Sequence, residues 1–120
     1  MTNKDELLII MKQVFGASEV KTEHRFHPKR MWRFDYAVPS RKIAVEYQGH
    51  GKMGGGSKHV GGHASVKGLS SDAEKFNSAE ILGWRVILFT ALHFREKDRQ
   101  KHKLSSPLET LLALARDETA

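Results

Sequence analysis

The sequence has no cysteine among its 120 residues. This absence excludes disulfide bonds, zinc sites built from thiolates, and thiol nucleophiles. Any bound metal must therefore be held by carboxylate, imidazole or amide groups or by backbone carbonyls. A chain without cysteine also fits a reducing compartment such as the cytoplasm.

Long hydrophobic runs are also missing. The longest apolar runs, such as Leu7 to Met11, are far shorter than the roughly 20 residues that a membrane-spanning helix needs. The first residues, Met1 to Glu6, lack the basic-then-apolar order of a signal peptide. We therefore expect a soluble cytoplasmic protein without a membrane partner.

Acidic residues are fewer than basic ones, with 14 Asp and Glu against 20 Lys and Arg, which gives a net charge of +6. Such a surplus favours polyanionic partners, either nucleic acid or an anionic lipid surface, and charge alone does not choose between them. The length is typical of one domain, so we expect a single domain over residues 1–120.

Glycine is concentrated in one segment, since eight of the ten glycines fall between Gly49 and Gly68. We expect a loop at about residues 49–70, and loops of that length in a compact domain are often functional. Glycine lets a backbone approach phosphates closely, so the basic side chains of this loop are candidates for nucleic-acid binding. These side chains are Lys52, Lys58, His59, His63 and Lys67. A zinc site formed by the loop histidines, and a loop without function, are the alternatives.

Outside the loop, apolar spacing and capping signals predict regular elements. The predicted elements are a helix over 5–15, an edge strand over 20–26, strands over 31–38 and 43–48, a helix that begins at the capping box 71–74 and ends at Gly83, a largely buried strand over 84–90, and a helix after Ser106. Residues 95–103 read as a solvated linker of mixed charge, and Phe76, Ala79 and Ile81 or Leu82 are expected in the core. The order predicts an α/β domain, with a mixed four-stranded sheet flanked by helices and a parallel β-α-β unit.

Two acidic residues, Asp35 and Glu46, stand inside apolar strands, where acids are depleted. If these strands form a hairpin, the two carboxylates lie one or two pairs apart and can face the same side as Gln48. An oxygen-rich site of this kind suits Mg²⁺ or Mn²⁺. The structural alternative is that Asp35 only forms an ion pair with Arg33.

The spacing of Asp35, ten intervening residues and Glu46-x-Gln48 resembles the PD-(D/E)XK nuclease superfamily. The wider pattern is similar to small phage-type nucleases of the VRR-NUC and Holliday-junction-resolvase-like group. The matching segments are 25–28, 32–35, 44–46, 72–77 and 83–86. The resemblance implies a restriction-endonuclease-like core of order αβββαβ plus a C-terminal helix, in a bacterial or phage-infected cell.

The resemblance also implies roles for individual residues. Asp35, Glu46 and the backbone carbonyl of Tyr47 would bind Mg²⁺ or Mn²⁺. Gln48 holds the position where the family usually has a catalytic lysine, and Lys75 is the candidate for a relocated lysine. The implied activity is that of a metal-dependent endonuclease that hydrolyses phosphodiester bonds in DNA. A structure-specific endonuclease, which recognises the shape of the DNA, is one form of this activity.

Two rival functions stay open on the sequence. The missing lysine at Gln48 is compatible with a non-catalytic nucleic-acid-binding module of the same fold. A Holliday junction resolvase would need two active sites and hence a homodimer. RNA is also open as a substrate. Trp32 and Trp84 are expected to lie in the core rather than to serve as base-stacking platforms.

Overall fold

The computed structural model of the protein describes residues 1–49 and 65–117. Four helices and four strands make up this part of the chain. Their bounds are α1 Asn3–Phe15, β1 Lys21–Arg25, β2 Arg33–Val38, β3 Ile43–Gln48, α2 Val66–Ile81, β4 Arg85–Thr90, α3 Glu96–His102 and α4 Pro107–Arg116. None of the described helices is both long and apolar enough to cross a membrane.

The strands form one mixed sheet in the order β1-β2-β3-β4. β1 pairs antiparallel with β2, and β2 pairs antiparallel with β3. β3 and β4 are parallel and are connected through α2, which is the β-α-β unit that the element order predicts. The expected α/β class and the mixed four-stranded sheet are therefore confirmed.

One face of the sheet packs against α1 and α4. Alternate residues of the strands point to this face because the side-chain period of a strand is two. The buried members of this core are Leu7, Met11, Phe15, Val20, Tyr36, Val38, Ile43, Val45, Phe89 and Leu111. The helix α1 presents Leu7, Met11 and Phe15 at spacings of four, which is one stripe of a helix.

The opposite face packs against α2 and against an aromatic group. Its buried residues are Phe34, Ala37, Ala44, Ala79 and Trp84. Ala79 of α2 packs in this cluster with Ala37 of β2 and Ala44 of β3. Lys75, one turn earlier on α2, contacts Glu46 of β3, where the candidate site lies.

The helix α2 begins at Val66, five residues before the predicted capping box at Ser71. Ser65 is the actual N-cap, because its hydroxyl accepts a hydrogen bond from the N–H of Gly68 at 3.0 Å. The predicted loop therefore ends earlier than residue 70, and Ser71 lies inside the helix. Lys67 accordingly stands on the first turn of α2 and not in a loop.

Of the two alternatives for the core stripe of α2, Leu82 packs on the core and Ile81 is 83% exposed. Two further sequence expectations were wrong. Residues 96–102 form the helix α3 rather than a solvated linker. The strand β4 is an edge strand with Leu88 41% exposed, because nothing among the described residues pairs with its outer side. Apolar composition alone did not reveal this position at the sheet edge.

Candidate metal-binding and catalytic site

The site lies where β2 and β3 part. The paired residues of the two strands end at Tyr36 and Val45. Beyond this pair, hydrogen bonds from backbone to side chain take over, since the N–H of Asp35 donates to Glu46 Oε2 at 2.7 Å and the N–H of Tyr47 donates to Asp35 Oδ2 at 2.8 Å. Both carboxylates therefore converge in the fork between the strands.

Glu46 is paired with the relocated-lysine candidate, Lys75. The Nζ of Lys75 lies 2.9 Å from Glu46 Oε1, and the side chains are only 15% and 13% exposed, respectively. Burial raises the pKa of the Glu46 carboxyl, and the hydrogen bond and charge of Lys75 offset part of that effect. The helix α2 thus supplies a partly desolvated ammonium group directly at the fork, and its catalytic role stays a prediction.

Asp35 is paired with a lysine that the sequence patterns did not single out. The Nζ of Lys4 lies 3.4 Å from Asp35 Oδ1. Burial disfavours the charged ammonium of Lys4, but the charge of Asp35 and its hydrogen bond outweigh this, so the pKa of Lys4 is raised. A signal was present in the sequence, because Lys4 precedes Leu7 and Met11 by three and seven residues and so extends the buried stripe of α1.

The two lysines reach the fork from opposite layers of the protein. Lys4 belongs to α1 on one face of the sheet, and Lys75 belongs to α2 on the other. The carboxylates therefore meet at the end of the strand pair and contact groups from both faces, a different arrangement from the single shared face that the hairpin predicts. Asp35 does form an ion pair, but its partner is Lys4 and not the predicted Arg33.

The donor atoms at the fork fit a hard divalent cation. The carboxylates of Asp35 and Glu46 converge there, and the predicted ligands Tyr47, through its carbonyl, and Gln48, through its amide oxygen, follow Glu46 directly on β3. Each of the four carboxylate oxygens accepts one hydrogen bond, and an ionised oxygen has a second acceptor position. Within residues 1–49 and 65–117, no three His, Asp or Glu side chains cluster as a metal site. A cation here would complete its shell with backbone, amide and water oxygens, as Mg²⁺ commonly does.

The predicted phosphate-binding side chains are not brought to this fork by the described chain. Lys52, Lys58, His59 and His63 lie outside the described residues. Lys67 is described and exposed on the first turn of α2. Nucleic-acid binding by these five residues stays a prediction.

Sequence reasoning missed a second group of residues beside the fork. Phe34, next to Asp35, is fully buried and stacks on Phe26, with ring centroids 4.0 Å apart and planes 7° apart. The Nζ of Lys75 lies 5.8 Å from the centroid of Phe34. Trp84 is buried as expected, whereas Trp32 is half-buried beneath the guanidinium of Arg30.

No family model, curated protein or solved structure matches this chain.

Proposed function

We propose that the protein is a Mg²⁺- or Mn²⁺-dependent endonuclease that hydrolyses phosphodiester bonds in DNA. The observation that carries the proposal is the convergence of Asp35, Glu46 and Lys75 in the fork between β2 and β3. Two carboxylates and an ammonium group at one point are the side chains that this reaction needs. The arrangement is the one that the resemblance to PD-(D/E)XK nucleases leads us to expect, with the lysine moved from the position of Gln48 to α2.

The side chains would divide the work as follows. Asp35 and Glu46, with the carbonyl of Tyr47 and the amide of Gln48, would hold the cation. A bound divalent cation supplies a nucleophilic water and neutralises charge on the phosphoryl oxygens. Lys75 would donate hydrogen bonds to a phosphate oxygen as negative charge develops in the transition state. Its low exposure strengthens this interaction because little water competes for the ammonium group.

One observation favours the rival function of a binding module. Both carboxylates already have ammonium partners inside the protein, Lys4 for Asp35 and Lys75 for Glu46. Such internal neutralisation makes the fork stable without a metal, as a non-catalytic descendant would need. We place the endonuclease first because Lys4 is 43% exposed and joins Asp35 at the long distance of 3.4 Å, so a cation can replace it at small cost.

The test is a cleavage assay on the full chain. Plasmid, single-stranded, flap and four-way-junction DNA are incubated with Mg²⁺ or Mn²⁺, with and without chelator. We expect cleavage that chelator abolishes and that Asp35→Asn lowers by at least about a hundredfold. The matched control is Asp98→Asn on α3, which removes one carboxylate away from the fork.

The rival functions give different results in the same assay. DNA binding without cleavage of any substrate would establish the binding module and overturn the endonuclease. Paired symmetric nicks confined to four-way junctions, together with a dimeric mass in solution, would establish a resolvase. Metal-dependent cleavage that Asp35→Asn leaves unchanged would place the active site elsewhere.

A further inference from the structure

The charged residues in and beside the loop between β1 and β2, residues 26–32, are all basic. The stretch 24–33 contains no Asp or Glu. Four exposed cations stand in it, namely Arg25, Lys29, Arg30 and Arg33. Among the described residues, none of these four forms a salt bridge with a carboxylate. The positive charge of this loop is therefore available to an external anion.

Hydrogen bonds within the loop and to its flank brace its backbone. The Nδ1 atom of His27 accepts from the backbone N–H groups of Lys29 and Arg30, at 3.0 and 2.9 Å. The Nε of Arg25 donates to the carbonyl of Arg30 at 3.3 Å. A loop that is ordered before its ligand arrives loses less conformational entropy on binding.

The guanidinium of Arg30 is oriented by stacking. Its central carbon lies 3.9 Å from the ring centroid of Trp32. Trp32 is nearly parallel to Phe26, at 6.2 Å and 14°, and Phe26 stacks in turn on the buried Phe34. Stacking occupies the face of the guanidinium and leaves the N–H groups at its edge free for the paired hydrogen bonds that a phosphate accepts.

This stack leads directly to the fork between β2 and β3. Phe34, at the inner end of the stack, lies against the ammonium group of Lys75, which is bonded to Glu46. An anion on Arg30 and a phosphate at Lys75 would thus contact the two ends of one packed series of side chains. A polyanion with repeated phosphates is the class of ligand that would reach both.

We propose that the β1–β2 loop binds the phosphate backbone of the DNA strand that enters the fork, with Arg30 as its central contact. The proposal rests on the proposed function, because it names the surface that delivers the substrate to that site. A lipid surface is the poorer fit, because insertion into a membrane needs exposed apolar side chains. Within the loop only Met31 offers one, at 65% exposure, while the aromatic rings stack toward the core.

The experiment measures DNA binding without catalysis. Fluorescence anisotropy is recorded on the full chain carrying Asp35→Asn, in chelator, with single-stranded and duplex DNA over a series of salt concentrations. We expect Arg30→Ala to weaken binding about tenfold and to reduce the slope of log affinity against log salt by about 0.9 for duplex. The DNA affinity of Arg30→Lys should lie between those of Arg30→Ala and the protein with Arg30 intact, because lysine keeps the charge and loses the paired hydrogen bonds. The matched control is Lys12→Ala, which removes one exposed cation from α1.

The failure of this proposal is distinguishable from the failure of the proposed function. If the unsubstituted chain cleaves DNA, and Arg30→Ala binds DNA with the same affinity and salt slope as the control, the loop is not the DNA surface and the endonuclease stands. If no substrate is cleaved but Arg30→Ala weakens binding as expected, the loop proposal stands and the endonuclease falls. Arg30-dependent binding to phosphatidylserine vesicles, with no binding to DNA, would overturn the loop proposal in favour of a membrane.

Discussion

The backbone N–H of Asp35 donates to the carboxylate of Glu46 at 2.7 Å. The carboxylate of Asp35 in turn accepts from the backbone N–H of Tyr47 at 2.8 Å. Each carboxylate thus accepts a hydrogen bond that a backbone carbonyl of the neighbouring strand would ordinarily accept. The carboxylates satisfy the backbone where the two strands separate, and each oxygen keeps a further acceptor position that the proposed cation would use. The stability of the sheet and the proposed chemistry would therefore depend on the same two side chains.

The first prediction separates these two roles at Asp35. Asp35→Ala leaves the N–H of Tyr47 without its acceptor, so we expect a loss of about 1–3 kcal/mol in the free energy of unfolding. Asp35→Asn keeps an amide oxygen in nearly the same place and should lose less. Urea unfolding followed by circular dichroism measures both variants. Equal stability of Asp35→Ala and the unsubstituted protein would contradict a structural role for the carboxylate.

The second prediction concerns Lys75. Lys75→Met removes the ammonium group while keeping an unbranched apolar side chain against Phe34, so we expect DNA cleavage to fall about a hundredfold. The pKa of Glu46 should rise further, because burial raises it and the offsetting charge is gone. Cleavage assays and NMR titration of the carboxyl measure the two effects. Lys12→Met, at an exposed position of α1, is the control, and an equal loss of cleavage in that variant would contradict a specific role.

The third prediction concerns Lys4 as a competitor of the metal. Lys4→Gln removes the cation from Asp35, so Mn²⁺ should bind more tightly. The gain should be no more than about fivefold, since a pair as exposed as this one contributes at most about 1 kcal/mol. Isothermal titration calorimetry with Mn²⁺ measures the change. Lys12→Gln alters the same helix by the same charge, and weaker Mn²⁺ binding in Lys4→Gln than in this control would contradict the competition.

The fourth prediction concerns the packing beneath the fork. Phe34 is fully buried between Phe26 and Trp84, with ring centroids 4.0 and 5.1 Å away. Phe34→Ala should lower the free energy of unfolding by about 3–5 kcal/mol. Met31→Ala, at an exposed position close by, should change it little. A comparable loss in both variants by urea unfolding would contradict the central position of Phe34.

The fifth prediction concerns pH and the start of α1. Asp5 and Thr2 form a capping box, in which the carboxyl of Asp5 accepts from the backbone N–H of Thr2. Hydrogen bonding with the backbone and the side chain of Thr2 holds the pKa of Asp5 below the ordinary value of 3.8. The stability that ionised Asp5 adds is therefore present above 3.8 and is lost as the pH falls through the lower value of the folded protein. Asp5→Asn should destabilise the protein at pH 6, and its difference from the unsubstituted chain should shrink on acidification.

The measurement for Asp5 is urea unfolding at a series of pH values. Glu6→Gln is the control, because it removes a neighbouring charge and keeps the backbone hydrogen bond of Glu6 to Thr2. A difference between Asp5→Asn and the unsubstituted chain that grows at low pH would show that the capping carboxylate is not the cause.

Local patterns in the sequence predicted most of the framework. The apolar stripe over 5–15, the alternation over 43–48 and the capping box at Ser106 each depend on neighbouring residues, and the corresponding elements are present. The predicted start of α2 was wrong, because Ser65 caps the helix through its hydrogen bond with the N–H of Gly68 and Ser71 lies inside it.

The candidate site was predictable in its acids and only partly in its cations. Asp35 and Glu46 stand out because charge inside an apolar strand is unusual in itself. Lys4 and the stack of Arg30 on Trp32 depend on how α1 and the β1–β2 loop sit against the sheet. The helical spacing places Lys4 on the buried stripe of α1 but does not identify Asp35 as its partner, and the β1–β2 loop has no periodic pattern that predicts the stack.

The fork has a consequence for how such sequences are read. A descendant that lost all chemistry would still need Asp35 to receive the N–H of Tyr47 and Glu46 to receive the N–H of Asp35. Selection for a folded chain would thus preserve the acid pair for some time after selection for cleavage had ended. After a loss of cleavage, Lys75 should be substituted earlier than the two acids, because its loss leaves no backbone group without a partner. In proteins of this fold, the residue at this position would therefore indicate better than the acids whether cleavage is retained.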